Sequence, residues 1–318
     1  MKLEYQILIA WLLDMVLGDP RWLPHPVRII GRFAAVIEGP LRRSITHARV
    51  AGVIAAALVV GVTAAMTAAV LYLARNLHPL LGDGVAIIIF YTAFSTRDLA
   101  DHASAVHEAL DRGDLPSAQR LVGMMVGRDT AAMDEEAVAR AAVESVAENS
   151  VDGVVAPLIF AAAAGPVGAM VYKAVSTLDS TFGYRNERYR DFGWASARID
   201  DLANYIPARI TAFLLMTAAL TRGSFARALA VCRRDGRLHA SPNSGLSEAA
   251  MAGALGVQLG GPVLRSGIPQ EMPYLGAPAA RPEAGTITAA TTLMMMTSGL
   301  ALASLLALRI GISTLARG

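Results

Sequence analysis

The chain has 318 residues, of which 54% are hydrophobic and only 17% charged, against about 25% charged in soluble domains. A formal net charge of +2 offers no electrostatic basis for nucleic-acid binding, and the lone Cys232 excludes an internal disulfide framework or a thiolate cluster for zinc or iron–sulfur. A mean hydropathy of +0.45 points to a protein that lives in a bilayer.

The first apolar run, Tyr5–Leu13, ends at Asp14 with no small-residue cleavage site behind it. It reads as a short helix over 5–18, a weak span candidate, and not as a signal peptide. Residues 19–49 carry six arginines against Asp19 and Glu38, which predicts a cytoplasmic loop. Residues 50–74 hold no charge between Arg49 and Arg75, enough to fill the roughly 20 apolar residues that a bilayer core of about 30 Å demands. Residues 77–95, interrupted only by Asp83, would return the chain after a short turn around Asn76–Pro79. Residues 96–152 then read as a helical cytoplasmic insertion. Within it Glu136, Arg140, Glu144, Glu148 and Asp152 recur every four positions, a polar stripe opposite Val138, Ala142, Val143 and Val146. For Glu136, Arg140 and Glu144 the plain expectation is a salt-bridged surface.

Gly153–Tyr172 is an uncharged run of twenty residues pinned between Asp152 and Lys173, with Gly165-Pro166-Val167-Gly168 at its midpoint. That turn signal breaks a helix. A pair of half-length helices dipping in and back is favoured over one kinked span, because it keeps 148–152 and 173–179 on one side. Residues 205–221, with Arg209 near the start, form a weaker candidate span; residues 284–308, uncharged between Glu283 and Arg309, form the last strong one. The expected fold class is therefore all-α: a polytopic integral membrane protein, taken as a single membrane domain over 1–318. It would carry a helical cytoplasmic insertion and a broken or re-entrant central helix pair.

Charged groups at a bilayer edge are costly to desolvate and are functional candidates by default. In LGDPRWLPHPVRIIGR, prolines fix the backbone around His25, with Arg28 following. VGRDT contributes Arg128, and ENSVDG contributes Glu148, Asn149 and Asp152. Glu148 and Asp152 lie one helical turn apart, and paired carboxylates suit Mg²⁺. The longest cluster brings Lys173, Asp179, Tyr184, Arg185 and Arg188; arginine grips phosphate with a planar fork, and Lys173 could neutralise a further oxyanion. SPNSG at 241–245 adds Ser241 and Asn243. Helix capping, solvated helix ends and a snorkelling Lys173 are the plainer alternatives. No Ser-His-Asp order, HExxH motif or GxxxxGK[ST] loop is present.

Together, LGDPRWLPHPVRIIGR, VGRDT, ARAAVESVAENSVDGVVAPLIF, KAVSTLDSTFGYRNERYRDFGWASARIDDLANYIPARIT and SPNSG-x-x-EAAMAGALGVQLGGP resemble the adenosylcobinamide-phosphate synthase family of cobalamin biosynthesis, of the CbiB/CobD type. The similarity runs in order from about residue 11 to residue 275. Ser176 stands where that family usually has asparagine, and Thr181 where it usually has methionine. SPNSGLSEAA departs from the commoner SPNAGWPEAA.

The resemblance implies an ATP-dependent amide ligation that joins adenosylcobyric acid to 1-amino-2-propanol O-2-phosphate, or a related amino alcohol, giving adenosylcobinamide phosphate. Mg²⁺ and ATP are the expected cofactors, with the corrinoid a substrate and not a prosthetic group. Residue chemistry then assigns Mg²⁺ to Glu148 and Asp152, with Asp179 as further ligand or base. Arg28, Arg185 and Arg188 would grip phosphate, Lys173 would stabilise the oxyanion, and Ser241 and Asn243 would position substrate amides. Asn149 completes the catalytic set, and His25, Arg128 and Tyr184 the substrate- and phosphate-binding set. The expected setting is the inner membrane, multi-pass, with the site on the cytoplasmic side. The expected partners are the small-molecule substrates, the lipid bilayer and other corrinoid-pathway enzymes, with no nucleic acid. A membrane transporter and a non-catalytic anchor for such enzymes are the competing classes.

Overall fold

A computed structural model describes residues 1–20, 25–184, 186–278 and 280–315. In chain order the helices begin with α1 (Leu3–Leu17), α2 (Pro26–Ser44), α3 (Ala48–Leu77), α4 (Pro79–Tyr91), α5 (Thr96–Asp111) and α6 (Leu115–Val122). There follow α7 (Glu135–Asn149), a π-helical stretch (Ser150–Val155), α8 (Ala156–Phe182), α9 (Trp194–Ala203) and α10 (Tyr205–Ala218). The last three are α11 (Phe225–Asp235), α12 (Ser244–Leu255) and α13 (Ala284–Leu315). Between α12 and α13, β1 (Gln258–Leu259) pairs antiparallel with β4 (Leu275–Gly276), and β2 (Val263–Arg265) with β3 (Ile268–Gln270). The protein is thus all-α apart from these two short ladders.

Four helical stretches among the described residues are long and apolar enough to cross a bilayer: Ala48–Leu77, Pro79–Asp111, Glu135–Phe182 and Ala284–Gly311. Trp194–Ala203 with Tyr205–Arg222 makes a fifth when counted as one broken span. Burial supports the membrane reading. Along α3, Ala51, Ala55, Val59 and Thr63 are buried, while Ile54, Leu58, Val62, Met66 and Val70 are exposed. A continuous outward strip of large apolar side chains is stable against hydrocarbon and a liability in water. α1, with 15 residues, is shorter than a span requires.

The chain divides into two compact units. The first comprises Met1–Ser95, Ala156–Asn204 and Leu305–Gly318; the second comprises Thr96–Val155 and Tyr205–Ser304.

In the first unit, small side chains let helices approach closely. Ala34 of α2, Ala51, Ala55, Ala56 and Val59 of α3, and Ala174 and Leu178 of α8 form one core with Phe182 and Phe192. Helix starts follow the sequence: His25 caps α2 by accepting from the Val27 N–H at 3.3 Å, with Pro26 just inside. His78 separates α3 from α4 and caps the latter in the same way.

The centre of the first unit is a helical hairpin inside α8. Ala164 and Gly165 leave helical geometry, Gly165 with φ +65°. The Phe160 ring stacks on Tyr172, with centroids 4.9 Å apart. In a straight helix those positions would be about 18 Å apart, so the chain reverses. Counted from Ala156, the arm before the break rises about 13 Å and the arm after it about 25 Å. Breaking the helix frees carbonyls at the end of the first arm, and the Arg309 guanidinium donates to one of them, the Ala162 oxygen.

In the second unit α5, α6 and α7 make the helical insertion. Asp134 caps α7, its Oδ1 accepting from the Ala137 N–H at 2.8 Å, and Glu135 and Glu136 favour the positive helix start. α12 is buried on every side, with Ala249, Ala250, Met251 and Ala252 at 0% exposure. It is a core helix packed between α10, α11 and α7, not a span.

Candidate active site

The second unit gathers Glu148, Asn149, Asp152, Ser241 and Asn243 around α7, the π-helical stretch and the start of α12. Two motifs meet here, with the contacting residues 96 positions apart in sequence: the Ser244 hydroxyl donates to Glu148 Oε1 at 3.2 Å. The SPNSG segment is a tight turn into α12. Ser241 takes its own N–H to His239 Nδ1 at 3.0 Å, and its Oγ accepts from the Asn243 N–H at 3.3 Å and the Ser244 N–H at 3.4 Å. Ser241 therefore satisfies amides at the helix start, and α12 presents its positive end where Glu148 sits. Asn149 is braced from behind: its amide donates to the Ser145 carbonyl at 2.9 Å, and Ser145 Oγ donates to Met125 O at 3.0 Å. Glu148 is exposed and Asp152 half-buried. Asp152 lies in the π-helical stretch that follows α7, a form frequent at functional sites.

One turn below Glu148 the sequence-based expectation of a surface salt bridge fails for Glu144. Glu136 and Arg140 do pair, at 3.5 Å. Glu144 instead is 8% exposed, paired with Arg128, and it accepts from the Gly260 N–H at 2.6 Å. Its position on α7 is polar in pattern, but α12 and the loop after β1 cover it. Arg128 is thereby held by Glu144, and neighbouring Asp129 accepts from the Gly267 N–H at 2.7 Å. A cavity of about 400 Å³ beside this pair is lined by Arg128, Asp129, Arg140, Leu264 and Arg281. Its guanidiniums each have a carboxylate partner, Arg281 meeting Glu136 at 2.8 Å.

Glu248, one turn along α12 from Ser244, is the residue that sequence reasoning missed. It is 7% exposed. Burial pushes its carboxyl well above the ordinary carboxylate range, the neighbouring Glu144 and Glu148 carboxylates push it further, and Arg128 pulls the other way. Its signal was present only as a lone glutamate in the alanine-rich run SEAAMAGAL.

The first unit holds the remaining candidates. His25 and Arg28 both face Asp19, at 4.0 Å and 3.7 Å. Arg188 straddles the buried Glu38, donating to both carboxylate oxygens at 3.2 Å. Arg42 shares Glu38 at 2.9 Å and lies over the Phe192 ring, 4.2 Å from its centroid. Tyr184 is exposed beside Tyr189, ring centroids 6.4 Å apart. Lys173 and Asp179 lie half-buried on the second arm of the hairpin, and the Asp179 carbonyl accepts from the Gly183 N–H at 2.7 Å. Arg185 lies outside the described residues.

The profile of the family described as CobD/Cbib protein matches residues 7–294. The chain is 52% identical over 273 residues to the cobalamin biosynthesis protein CobD of Geobacter metallireducens, covering 86% of each chain. It is 47% identical over 305 residues to CobD of Pelobacter propionicus, covering 94% of each. To the cobalamin biosynthesis protein CbiB of Salmonella typhimurium it is 43% identical over 312 residues, covering 97% of this chain and 98% of that one.

This chain belongs to the CobD/CbiB family. It is a cobalamin biosynthesis protein with membrane-spanning helices. None of the solved structures matches it. For a CobD/CbiB protein the fold places the long motifs on few elements: ENSVDG closes α7, and SPNSG opens α12. Among the described residues no three His, Cys, Asp or Glu side chains are grouped to hold a metal ion. Glu148 and Asp152 still offer the hard oxygens that suit Mg²⁺, an ion commonly bound by one or two carboxylates with water and substrate phosphate completing its shell.

Proposed function

We propose that this protein joins a propionate carboxylate of adenosylcobyric acid to the amine of 1-amino-2-propanol O-2-phosphate, or a related amino alcohol, in an ATP-dependent amide ligation. The observation that carries the reading is the Ser244–Glu148 contact, in a chain of the CobD/CbiB family. It joins two polar motifs at one exposed carboxylate beside a helix start. Carboxylate and ammonium do not condense in water, because the acyl carbon is electron-rich and the amine is protonated. ATP would transfer its γ-phosphoryl group to the carboxylate, giving an acyl phosphate and ADP; the amine, having lost its proton to a base, then bonds to the acyl carbon while the carbon–oxygen bond breaks, releasing phosphate and a second proton.

The candidate residues of the second unit have proposed tasks in that reaction. Glu148 and Asp152 would hold Mg²⁺, which supplies positive charge against the phosphate oxygens. Asn149, oriented by Ser145, and the turn of Ser241 and Asn243 would present polar groups to substrate amides. Arg128 fixes Glu144 and so the α7 face on which Glu148 rides. On the first unit, Lys173 and Asp179 are proposed as oxyanion and base groups, and Arg28, Arg185 and Arg188 as phosphate ligands. Arg28 and Arg188 would exchange a carboxylate for phosphate to do so. The proposed setting is the inner membrane, with the chemistry on the cytoplasmic side and other corrinoid enzymes as neighbours.

The test is ligation by purified protein in detergent, supplied with adenosylcobyric acid, ATP, Mg²⁺ and candidate amino-alcohol phosphates, with products read by mass spectrometry. A product of adenosylcobinamide-phosphate mass, absent without ATP, is expected. No product from any amino alcohol in active-folded protein would overturn the reading.

A further inference from the structure

Three carboxyls share the α7–α12 face, and two of them are accounted for. Glu144 has the Arg128 guanidinium and the Gly260 N–H. Glu148 is exposed, accepts from Ser244 and sits at the positive end of α12. Glu248 is 7% exposed, and no hydrogen bond or ion pair to it occurs among the described residues. A buried carboxylate without a partner is expensive. Glu144 and Glu148 act on Glu248 as like charges, and the one guanidinium that opposes them, Arg128, is already held by Glu144.

We propose that Glu248 is the recognition group for the ammonium of the amine substrate, on the inner wall of a subsite that opens beside Ser244, one turn below the Glu148 carboxylate assigned to Mg²⁺. The inference rests on the ligation reading above. A primary ammonium carries three donors and no acceptor, and the groups on this face are acceptors at two depths. Glu248 lies one turn of α12 below Ser244, the residue already bonded to Glu148. A metal fits this inner wall less well, because these carboxyls are not grouped as ligands of one ion.

Among the described residues, several arginines on the elements packed against α12 are engaged elsewhere. On the elements packed against α12, Arg227 of α11 is engaged with the Gly253 and Ala254 carbonyls, and Arg234 with Asp235. Arg209 of α10 lies over the Tyr205 ring, 3.4 Å from its centroid. Asp152 lies in the π-helical stretch, and β1 and β4 bring no charge. Burial and the like charges of Glu144 and Glu148 raise the Glu248 carboxyl, a cost that an arriving ammonium offsets.

The experiment compares wild type with Glu248→Gln using two nucleophiles, the amino-alcohol phosphate and hydroxylamine, each with adenosylcobyric acid, ATP and Mg²⁺. Hydroxylamine is largely uncharged at neutral pH, so it traps the activated acyl group without needing an ammonium site. For the amino-alcohol phosphate, Glu248→Gln should raise KM about 10- to 100-fold, the range expected for one lost charged hydrogen bond. KM for ATP and for the corrinoid should stay unchanged, and so should hydroxamate yield. Glu248→Asp, which keeps the charge, should give an intermediate KM and serves if Glu248→Gln does not fold. A wild-type KM for the amino-alcohol phosphate in either variant overturns the inference. A wild type that forms neither amide nor hydroxamate overturns the ligation reading beneath it.

Discussion

Phe160 and Tyr172 stack ring on ring, centroids 4.9 Å apart and planes 23° from parallel, although they are twelve positions apart in one apolar segment. The stack exists because the chain reverses at Ala164–Gly165 and its two arms lie against each other. Gly168 makes the approach possible: a Cβ there would stand 2.5 Å from Ala164 Cβ and 2.7 Å from the Phe160 carbonyl oxygen. Gly168→Leu should therefore destabilise the protein by about 1–3 kcal/mol, and Gly168→Ala by less. Thermal unfolding in detergent measures this; equal melting of Gly168→Leu and wild type would dismiss the close packing.

A hairpin returns the chain to the face it left. Single cysteines at Arg43 and Arg190, placed in a Cys232→Ser background, should behave alike toward an impermeant maleimide. Both should be protected in intact cells and labelled after permeabilisation. Labelling of residue 190 from outside would mean that the segment crosses the membrane completely.

Arg128 and Glu144 form a pair whose side chains are each 11% exposed. Removing one partner leaves an uncompensated buried charge, so Arg128→Met should cost about 3–5 kcal/mol. Adding Glu144→Gln should recover much of that loss. Unfolding midpoints of the two single variants and the double variant test this; strict additivity would show that the pair does not couple.

Asp152→Asn keeps the size of the side chain and removes its charge. If Asp152 helps hold Mg²⁺, this variant should fold, insert and lose ligation at least about tenfold. Raised Mg²⁺ should restore part of the rate. Wild-type turnover at ordinary Mg²⁺ would remove Asp152 from the metal site.

Much of the architecture is local and therefore legible along the chain. Uncharged stretches of bilayer length mark α3 and α13, because the cost of charge in hydrocarbon is paid residue by residue. Gly165-Pro166 marks the break in α8, because helix termination depends on neighbouring residues. The motifs around Glu148 and Ser241 stand out as polar sequence at the edges of apolar runs.

What tertiary structure decided is which charges meet. Glu144 has the spacing of a surface ion pair, yet it is buried against a loop 116 residues further on. Arg188 looks available for phosphate until Glu38, 150 residues earlier, takes it. Glu248 has no periodic signature, and its isolation is visible only once α12 is packed against α7. Hydropathy and turn chemistry act over a few residues and can be read in order. Desolvation and charge pairing depend on which distant helices close over a side chain, and only the fold decides that.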